Sequence, residues 1–135
     1  MLLTEFDDNR QAIINPEDLN EPLEGFPKIA VSCFSRSTFQ RMLEMFPHEL
    51  IYETSMANVA IPIYKLVIDE QELALFNAPV GASACVAILE DIFALGTDKL
   101  VLFGTCGVLD EDIKETSIII PSHALRDEGT SFHYV

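Results

Sequence analysis

The stretch KLVLFGTCG, residues 99–107, decides the fold of this chain. Its first five residues are almost continuously apolar, which is typical of a strand buried on both faces of a parallel sheet. Gly104 and Gly107 then frame a turn in which the backbone can approach a ligand closely, because glycine has no side chain. A strand that ends in such a turn indicates an open α/β sheet, and such sheets bind ligands beyond the carboxyl ends of their strands.

The residues that precede this strand predict a strand–helix–strand unit over 72–103. The first strand is expected at 72–76. Ser83 is placed to cap a helix over 84–95, and Gly96 is placed to end it. Two strands joined in this way are expected to be parallel, with a right-handed connection.

Another strand and helix stand earlier in the chain. Residues 28–32 predict a short strand, and Ser37 with Gln40 fits a capping box at the start of a helix. Apolar residues recur at helical spacing over 39–46, until Pro47 ends the helix.

Three further strands are predicted, and the class is α/β. They are expected at 50–53, at 60–68 and at 117–120. Pro62 lies within the second of these strands and lacks a backbone N–H. The strand is therefore expected to be an edge or to be bulged at that point.

Residues 1–27 are predicted to form an irregular N-terminal arm, ahead of an α/β region at 28–135. Three X-Pro steps in the arm disfavour helix, because proline pushes the preceding residue out of the helical conformation. Two interpretations stay open. The arm packs on its own chain through Leu19, Leu23 and Phe26, or it reaches a neighbouring subunit.

Composition and charge exclude several classes of protein. The 135 residues carry a formal net charge of −14, which would repel nucleic acid and membrane surfaces. The eight cations form no basic patch: they are Arg10, Lys28, Arg36, Arg41, Lys65, Lys99, Lys114 and Arg126. Three cysteines without close spacing indicate a reducing cytoplasm, and no metal site is expected. No membrane span or secretory signal is recognisable.

A candidate anion site follows the first predicted strand. Ser35, Arg36 and Ser37 lie at a helix N-terminus, where free N–H groups and the helix dipole favour an anion. An arginine adds bidentate recognition of phosphate oxygens. The alternative is a capped helix with a solvated arginine.

Two later segments also carry chemistry. Thr105 places a hydroxyl in the glycine turn, and Cys106 is either a nucleophile or a buried, inert thiol. The segment at 124–134 combines charged residues, hydroxyls, a histidine and two aromatic residues around Gly129. A solvated loop explains its charges but does not explain the run Ser-Phe-His-Tyr.

Together, residues 101–107, 126–134 and the loop and helix at 78–96 resemble the nucleoside phosphorylase family, which includes uridine and purine nucleoside phosphorylases and related nucleosidases. The resemblance covers 28–135. It implies a mixed, largely parallel sheet flanked by helices, of which this chain is the N-terminal half. The chain alone is then expected to be inactive.

The resemblance also implies an activity. Such an enzyme is a pentosyltransferase of nucleotide salvage: a nucleoside and inorganic phosphate yield a free base and a pentose 1-phosphate. Phosphate is the co-substrate, and neither a cofactor nor a metal is implied. A cytoplasmic homo-oligomer is expected.

Individual roles carry over by position. Ser35, Arg36 and Thr105 are expected to bind phosphate, and Thr105, Cys106 and Gly107 to bind the nucleoside. Further candidates are Arg126, Glu128 and His133. No residue is assigned as catalytic, and the base is not identified.

The chain departs from the family at its phosphate site. Leu102 stands where relatives carry a phosphate-binding arginine. A further arginine, which relatives donate across a subunit interface from the region of residues 55–65, is also missing, since no arginine occurs between Arg41 and Arg126. Phosphorolysis, hydrolysis of the nucleoside by water, and nucleoside binding without catalysis therefore stay open as hypotheses.

Overall fold

The computed structural model describes residues 5, 7–9, 11–114 and 117–134, so Arg10 and Val135 lie outside the described residues. The strands are β1 (Ile29–Cys33), β2 (His48–Met56), β3 (Val59–Ile68), β4 (Gln71–Asn77) and β5 (Lys99–Phe103). The α-helices are α1 (Pro16–Leu19), α2 (Arg36–Met45) and α3 (Ala82–Ala94). The described residues fall into two compact units, one within 8–104 and the other comprising the remainder.

The five strands form one mixed sheet in the order β2-β3-β4-β1-β5. β3 is antiparallel to both β2 and β4, whereas β1 is parallel to both β4 and β5. The predicted α/β class is confirmed. The two strands of the predicted strand–helix–strand unit, β4 and β5, are parallel as expected, with β1 inserted between them.

The core lies on both faces of the sheet, because side chains alternate between the faces along each strand. On one face, Ala74 and Phe76 of β4 pack with Ile88 and Ile92 of α3. On the opposite face, Leu75 of β4 packs with Phe39 of α2. The sheet is therefore covered by one main helix on each side.

β5 is an edge strand, so the prediction that it is buried on both faces is wrong. Among the described residues it pairs only with β1, and Val101, Leu102 and Phe103 remain 54%, 43% and 53% exposed. β1 takes the buried position between two parallel neighbours instead. Apolar composition measures the preference of a strand for burial, whereas its place in the sheet is set by how the strands are connected.

The strand predicted at 117–120 is also absent. These residues form no regular structure, and Ile118 and Ile120 are almost fully exposed. β-branched residues favour an extended backbone, but a strand needs a partner for its N–H and C=O groups. No described strand pairs with this segment.

Both predicted helix caps lie two residues too late. Ser35, not Ser37, caps α2, and its side chain accepts a hydrogen bond from the backbone N–H of Thr38. α3 begins after Gly81, which places Ser83 inside the helix. The helix ends were predicted better, since Gly96 has a φ of 121° and ends the turn after α3, as expected of glycine at that position.

The N-terminal arm contains one helical turn, α1, which the prediction of an irregular arm missed. Asn15 and Asp18 form a capping box around it, and Pro16 takes the first helical position, where its missing N–H costs no bond and Asn15 before it stays extended. Beyond α1, the arm contacts its own chain: the side-chain amide of Asn20 donates to Asp91 at 2.8 Å, and Phe26 is buried in the core. Leu19 stays exposed and does not take part in this packing.

Pro62 lies where β3 has a neighbour on one side only. It pairs with Glu53 of β2, while β4 pairs with β3 from Tyr64 onward. β3 is thus an edge at this point, as predicted, and the missing N–H of proline costs no ladder hydrogen bond.

The turn between β3 and β4 stores strain that glycine would remove. Asp69 and Glu70 have φ values of 48° and 65°, in the left-handed region. This conformation costs a residue with a Cβ about 1–2 kcal/mol. We expect Glu70→Gly to raise the free energy of unfolding by up to about 1 kcal/mol after the greater flexibility of glycine is subtracted, as measured by urea denaturation.

The matched control is Glu53→Gly, the same change at an exposed residue of β2 with an ordinary φ. It should lower the free energy of unfolding by about 0.5–1 kcal/mol. If both variants were destabilised equally, the strain at Glu70 would be contradicted.

Candidate functional site

Three loops leave the same edge of the sheet. β4, β1 and β5 are parallel neighbours, so their carboxyl ends lie side by side, as the final pairs Cys33↔Asn77 and Cys33↔Phe103 show. The loop after β1 leads into α2, and the loop after β4 leads into α3. Open α/β sheets bind ligands at this edge.

The loop after β1 has the geometry of an anion site. The Ser35 hydroxyl accepts from the Thr38 N–H at 3.2 Å and lies 3.0 Å from the Ser37 hydroxyl. The N–H groups of Arg36 and Ser37 begin the helix, so they have no acceptor within it. In the described part of the chain they have no other acceptor either.

Arg36 is the first residue of the helix, and its side chain is exposed, with no ion pair to any described residue. The turn therefore combines a cation, the positive end of the helix dipole and two N–H groups. Ser35 serves first as the helix cap. The hydroxyl of Ser37, which the sequence also placed at this helix N-terminus, lies 3.0 Å from that of Ser35.

The ring of Phe34 lies so close to Gly104 that a side chain at position 104 would be crowded. A Cβ built on Gly104 would lie 3.3 Å from Cδ2 of the Phe34 ring, which is tighter than most Cβ contacts. The first residue after β1 thus packs against the first residue after β5. Sequence reasoning assigned Gly104 to close approach by a ligand, and in the structure the approaching group is Phe34.

Thr105, Cys106 and Gly107 directly follow Gly104 along the chain and belong to the second unit. All three are exposed, and a Cβ on Gly107 would contact nothing within 4 Å. The interpretation of Cys106 as a buried thiol is wrong, because the chain has already left the sheet at this point. Among the described residues, no histidine is hydrogen-bonded to Cys106.

The segment that carries Arg126, Glu128 and His133 is organised by local contacts. The Arg126 guanidinium lies 4.8 Å from the centre of the Phe132 ring, a cation–π contact. Glu128 accepts from the Thr130 N–H at 2.8 Å and the Ser131 N–H at 3.1 Å, and also from the Ser131 hydroxyl. His133 ends a single 3₁₀ turn, Thr130–His133, and is exposed.

Glu128 is therefore a cap in this structure and is not presented as a free carboxylate. The hydroxyl of Ser131 and the two N–H groups favour its charged form and hold the pKa of this carboxyl below its usual 4.5. Because the folded pKa lies below the unfolded one, the cap stabilises the turn above pH 4.5 and is lost as the pH falls through the lowered pKa.

We expect acid to melt the 3₁₀ turn with this titration. Lowering the pH through the lowered pKa of Glu128 should shift the amide signals of Thr130 and Ser131 in NMR spectra, whereas Glu128→Gln should abolish that pH dependence. An unchanged titration of both amides in Glu128→Gln would contradict the assigned cap.

Two residues at the carboxyl edge were missed by sequence reasoning. The Ser32 hydroxyl, fully buried, donates to the Phe76 carbonyl at 2.9 Å and accepts from the Ala78 N–H at 3.0 Å. The Asn77 side chain donates to the Cys33 carbonyl at 2.6 Å. A polar residue at the end of an apolar strand was the available signal.

The fold and these loops define a class of protein. The family model of the phosphorylase superfamily matches residues 28–135, and the chain belongs to that superfamily. The family predicted from residues 101–107 and 126–134 is confirmed.

Individual relatives agree with this assignment. The chain is similar to the guanosine phosphorylase of Halorubrum lacusprofundi, with 27% identity over 74 residues that make up 53% of this chain and 31% of the relative. It thus spans less than a third of that protein in the matched region.

Solved structures show the same fold at lower identity. Uridine phosphorylase from Vibrio fischeri superposes with a TM-score of 0.54 at 13% identity, covering 67% of this chain and 39% of its own. The 5′-methylthioadenosine/S-adenosylhomocysteine nucleosidase of Helicobacter pylori superposes with a TM-score of 0.51 at 23% identity, covering 67% and 38%.

Neither a membrane span nor a metal site is found in the described part of the chain. No described helix is long and apolar enough to cross a membrane. No group of three or more histidine, cysteine, aspartate or glutamate side chains converges among the described residues.

Proposed function

We propose that the whole protein is a nucleoside phosphorylase. To it this chain contributes part of the nucleoside site and the loop at 34–37, which we call the phosphate loop. The observation that carries the proposal is the start of α2, where an arginine and two N–H groups without described acceptors occur together in a chain of the phosphorylase superfamily. Inorganic phosphate is the ligand whose charge and size suit this turn.

The reaction places phosphate against C1′ of the sugar. In the proposal, Arg36 and the N–H groups of Arg36 and Ser37 hold phosphate. The family resemblance assigns Thr105 to phosphate and the sugar. Cys106 and Gly107 line the base. As the glycosidic bond breaks, the sugar gains cationic character and the base gains negative charge. Catalysis then rests on the positioning of phosphate and on electrostatic stabilisation of these charges.

Guanosine is the nucleoside to test first. The similarity to a guanosine phosphorylase supports this choice, and the family admits other bases. Release of guanine by the whole protein only when phosphate is present would support the proposal. Uridine, inosine and adenosine serve as the comparison panel.

Hydrolysis is the second candidate, and a specific observation favours it. Leu102 occupies the position where a phosphate-binding arginine is expected, and no arginine lies between Arg41 and Arg126. Each missing contact would have contributed about 1.5–3 kcal/mol to phosphate binding. Base release at equal rates with and without phosphate would establish a nucleosidase, and binding without release would establish a nucleoside sensor.

The isolated 135-residue chain is proposed to bind phosphate without turning over any nucleoside. The proposal treats it as part of a site, so turnover by this chain alone would contradict that view.

A cytoplasmic homo-oligomer is the proposed setting. The three free cysteines support a reducing compartment. The oligomer rests on the family resemblance alone, and sedimentation velocity of the whole protein tests it: a single monomeric species over the concentration range would contradict it.

A further inference from the structure

At their last two ladder pairs, β1 and β4 are also joined by side chains. Cys33 and Asn77 are paired at the ends of the two strands, after which the chains diverge toward α2 and α3. The Ser32 hydroxyl and the Asn77 amide each cross from one strand to the other at this point. We define these two residues as the edge clamp.

The edge clamp fixes the peptide from which the phosphate loop departs. The Cys33 carbonyl accepts from the Asn77 side chain at 2.6 Å and from the Ala78 N–H at 3.1 Å. Two donors on one carbonyl set the plane of the peptide that joins Cys33 to Phe34. The thiol of Cys33 also donates to the Ser35 carbonyl at 3.4 Å, which ties the same residue to the helix cap.

The edge clamp also fixes the start of the loop after β4. The Ala78 N–H is shared between the Cys33 carbonyl and the Ser32 hydroxyl, and Ser32 returns its own proton to the Phe76 carbonyl. Ser32 is fully buried, so water cannot replace these bonds. Loss of the hydroxyl therefore loosens both loops together.

We propose that Ser32 and Asn77 are positioning residues that hold the loops 34–37 and 78–81 in place and so set the phosphate affinity of the turn at Arg36. The part of this role that concerns phosphate affinity rests on the proposed function. Binding by two N–H groups and a guanidinium needs their directions fixed beforehand. In enzymes, a misplacement of groups by about 1 Å can lower the rate by up to about 100-fold. Neither residue contacts phosphate in this proposal.

The test compares Ser32→Ala and Asn77→Ala with a control that removes an equivalent bond elsewhere. Thr97 is buried, and its hydroxyl donates to the Pro27 carbonyl at 3.0 Å, just before β5 and thus at the amino edge of the sheet. Thr97→Val removes that hydroxyl and keeps the side-chain volume. All three variants should lose stability, so loss of stability alone does not distinguish them.

Two measurements on the 135-residue chain do distinguish them. Amide hydrogen exchange without ligand should accelerate at Thr38, Phe39 and Ala78, the hydrogen-bonded amides next to the two loops, in both clamp variants and stay at the wild-type rate there in Thr97→Val. Titration with inorganic phosphate, followed by the amide signals of Arg36 and Ser37, should show binding roughly tenfold weaker in the clamp variants and unchanged binding in Thr97→Val.

The outcomes separate this role from the proposed function. Wild-type exchange and wild-type phosphate affinity in both clamp variants would overturn the positioning role. Equal weakening in Thr97→Val would also overturn it, since the effect would then follow general stability. Absence of phosphate binding in the wild type, with exchange still accelerated in the clamp variants, would overturn the phosphate site and support the hold on the loops.

Discussion

Replacing Arg36 with glutamine is expected to weaken the binding of inorganic phosphate by about 10- to 100-fold, because a hydrogen bond to a charged group contributes about 1.5–3 kcal/mol. Arg36 begins α2 beside the two N–H groups without described acceptors, and it is exposed without an ion pair in the described chain. The substitution therefore removes a contact to the ligand and breaks no internal bond. Isothermal titration calorimetry at fixed low salt measures the change.

Arg41→Gln is the matched control. It lies on the same helix, is also exposed, and changes the net charge of −14 by the same amount. It should weaken phosphate binding by less than about threefold, since its charge acts on the turn only through water of high dielectric constant and over a longer distance. Equal losses in the two variants would show a general effect of charge and contradict a phosphate site at the start of α2.

Replacing Phe76 with alanine is expected to lower the free energy of unfolding by about 3–5 kcal/mol, the usual loss when a large aromatic side chain is removed from a core. Phe76 is 0% exposed, between the sheet and α3. Total stabilities of domains are about 5–15 kcal/mol, so at the lower end of that range the substitution removes more than half of the stability. Urea denaturation followed by circular dichroism measures the loss.

The control uses the same substitution on the edge strand. Phe103 ends β5 with 53% of its surface exposed, and Phe103→Ala should cost about 1 kcal/mol or less. A cost as large as that of Phe76→Ala would mean that β5 is covered in solution, and would contradict its place as an exposed edge.

The regular part of the fold was predictable from local chemistry. The strands at 99–103 and 60–68 and the helix between β4 and β5 follow from apolar periodicity and from the positions of Gly96 and Pro62. These signals depend on residues that are close together in the chain, so they can be recognised from the sequence alone. The family followed from residues 101–107 and 126–134, whose composition reflects chemistry and not packing.

The position of each strand in the sheet was not predictable in the same way. The apolar run of β5 predicted a buried central strand, whereas β1 lies in that position and β5 lies outside it. The choice depends on pairing between residues far apart in the chain, for which periodicity carries no information. The strand predicted around the three isoleucines at 118–120 was wrong for the same reason, because a strand forms only with a partner strand.

The loops of the candidate site were predicted, but the residues that hold these loops in place were not. Arg36 lies at a helix N-terminus as predicted, although the cap is Ser35 and not Ser37, and the site residues themselves stay predictions. Ser32 and Asn77 were missed because their roles depend on a strand that is reached only after the chain has passed through α2, β2 and β3. Cys106 was misjudged because burial of a thiol depends on where the sheet ends.

The insertion of β1 between β4 and β5 has a consequence for the order of folding. β2, β3 and β4 are joined by tight turns, and such hairpins close in about 1–10 μs. β1 pairs with β4 and β5 through residues that are far apart in the chain. Ser32 and Phe76 are separated by 44 positions, and Thr97 and Pro27, which lie just before β5 and β1, by 70. Contacts at such separation raise the contact order and slow folding, because the closure of a long loop must precede any gain from pairing. The antiparallel half of the sheet is therefore expected to form first, and the ligand edge, which depends on the parallel half, to be the last part of the molecule to take shape.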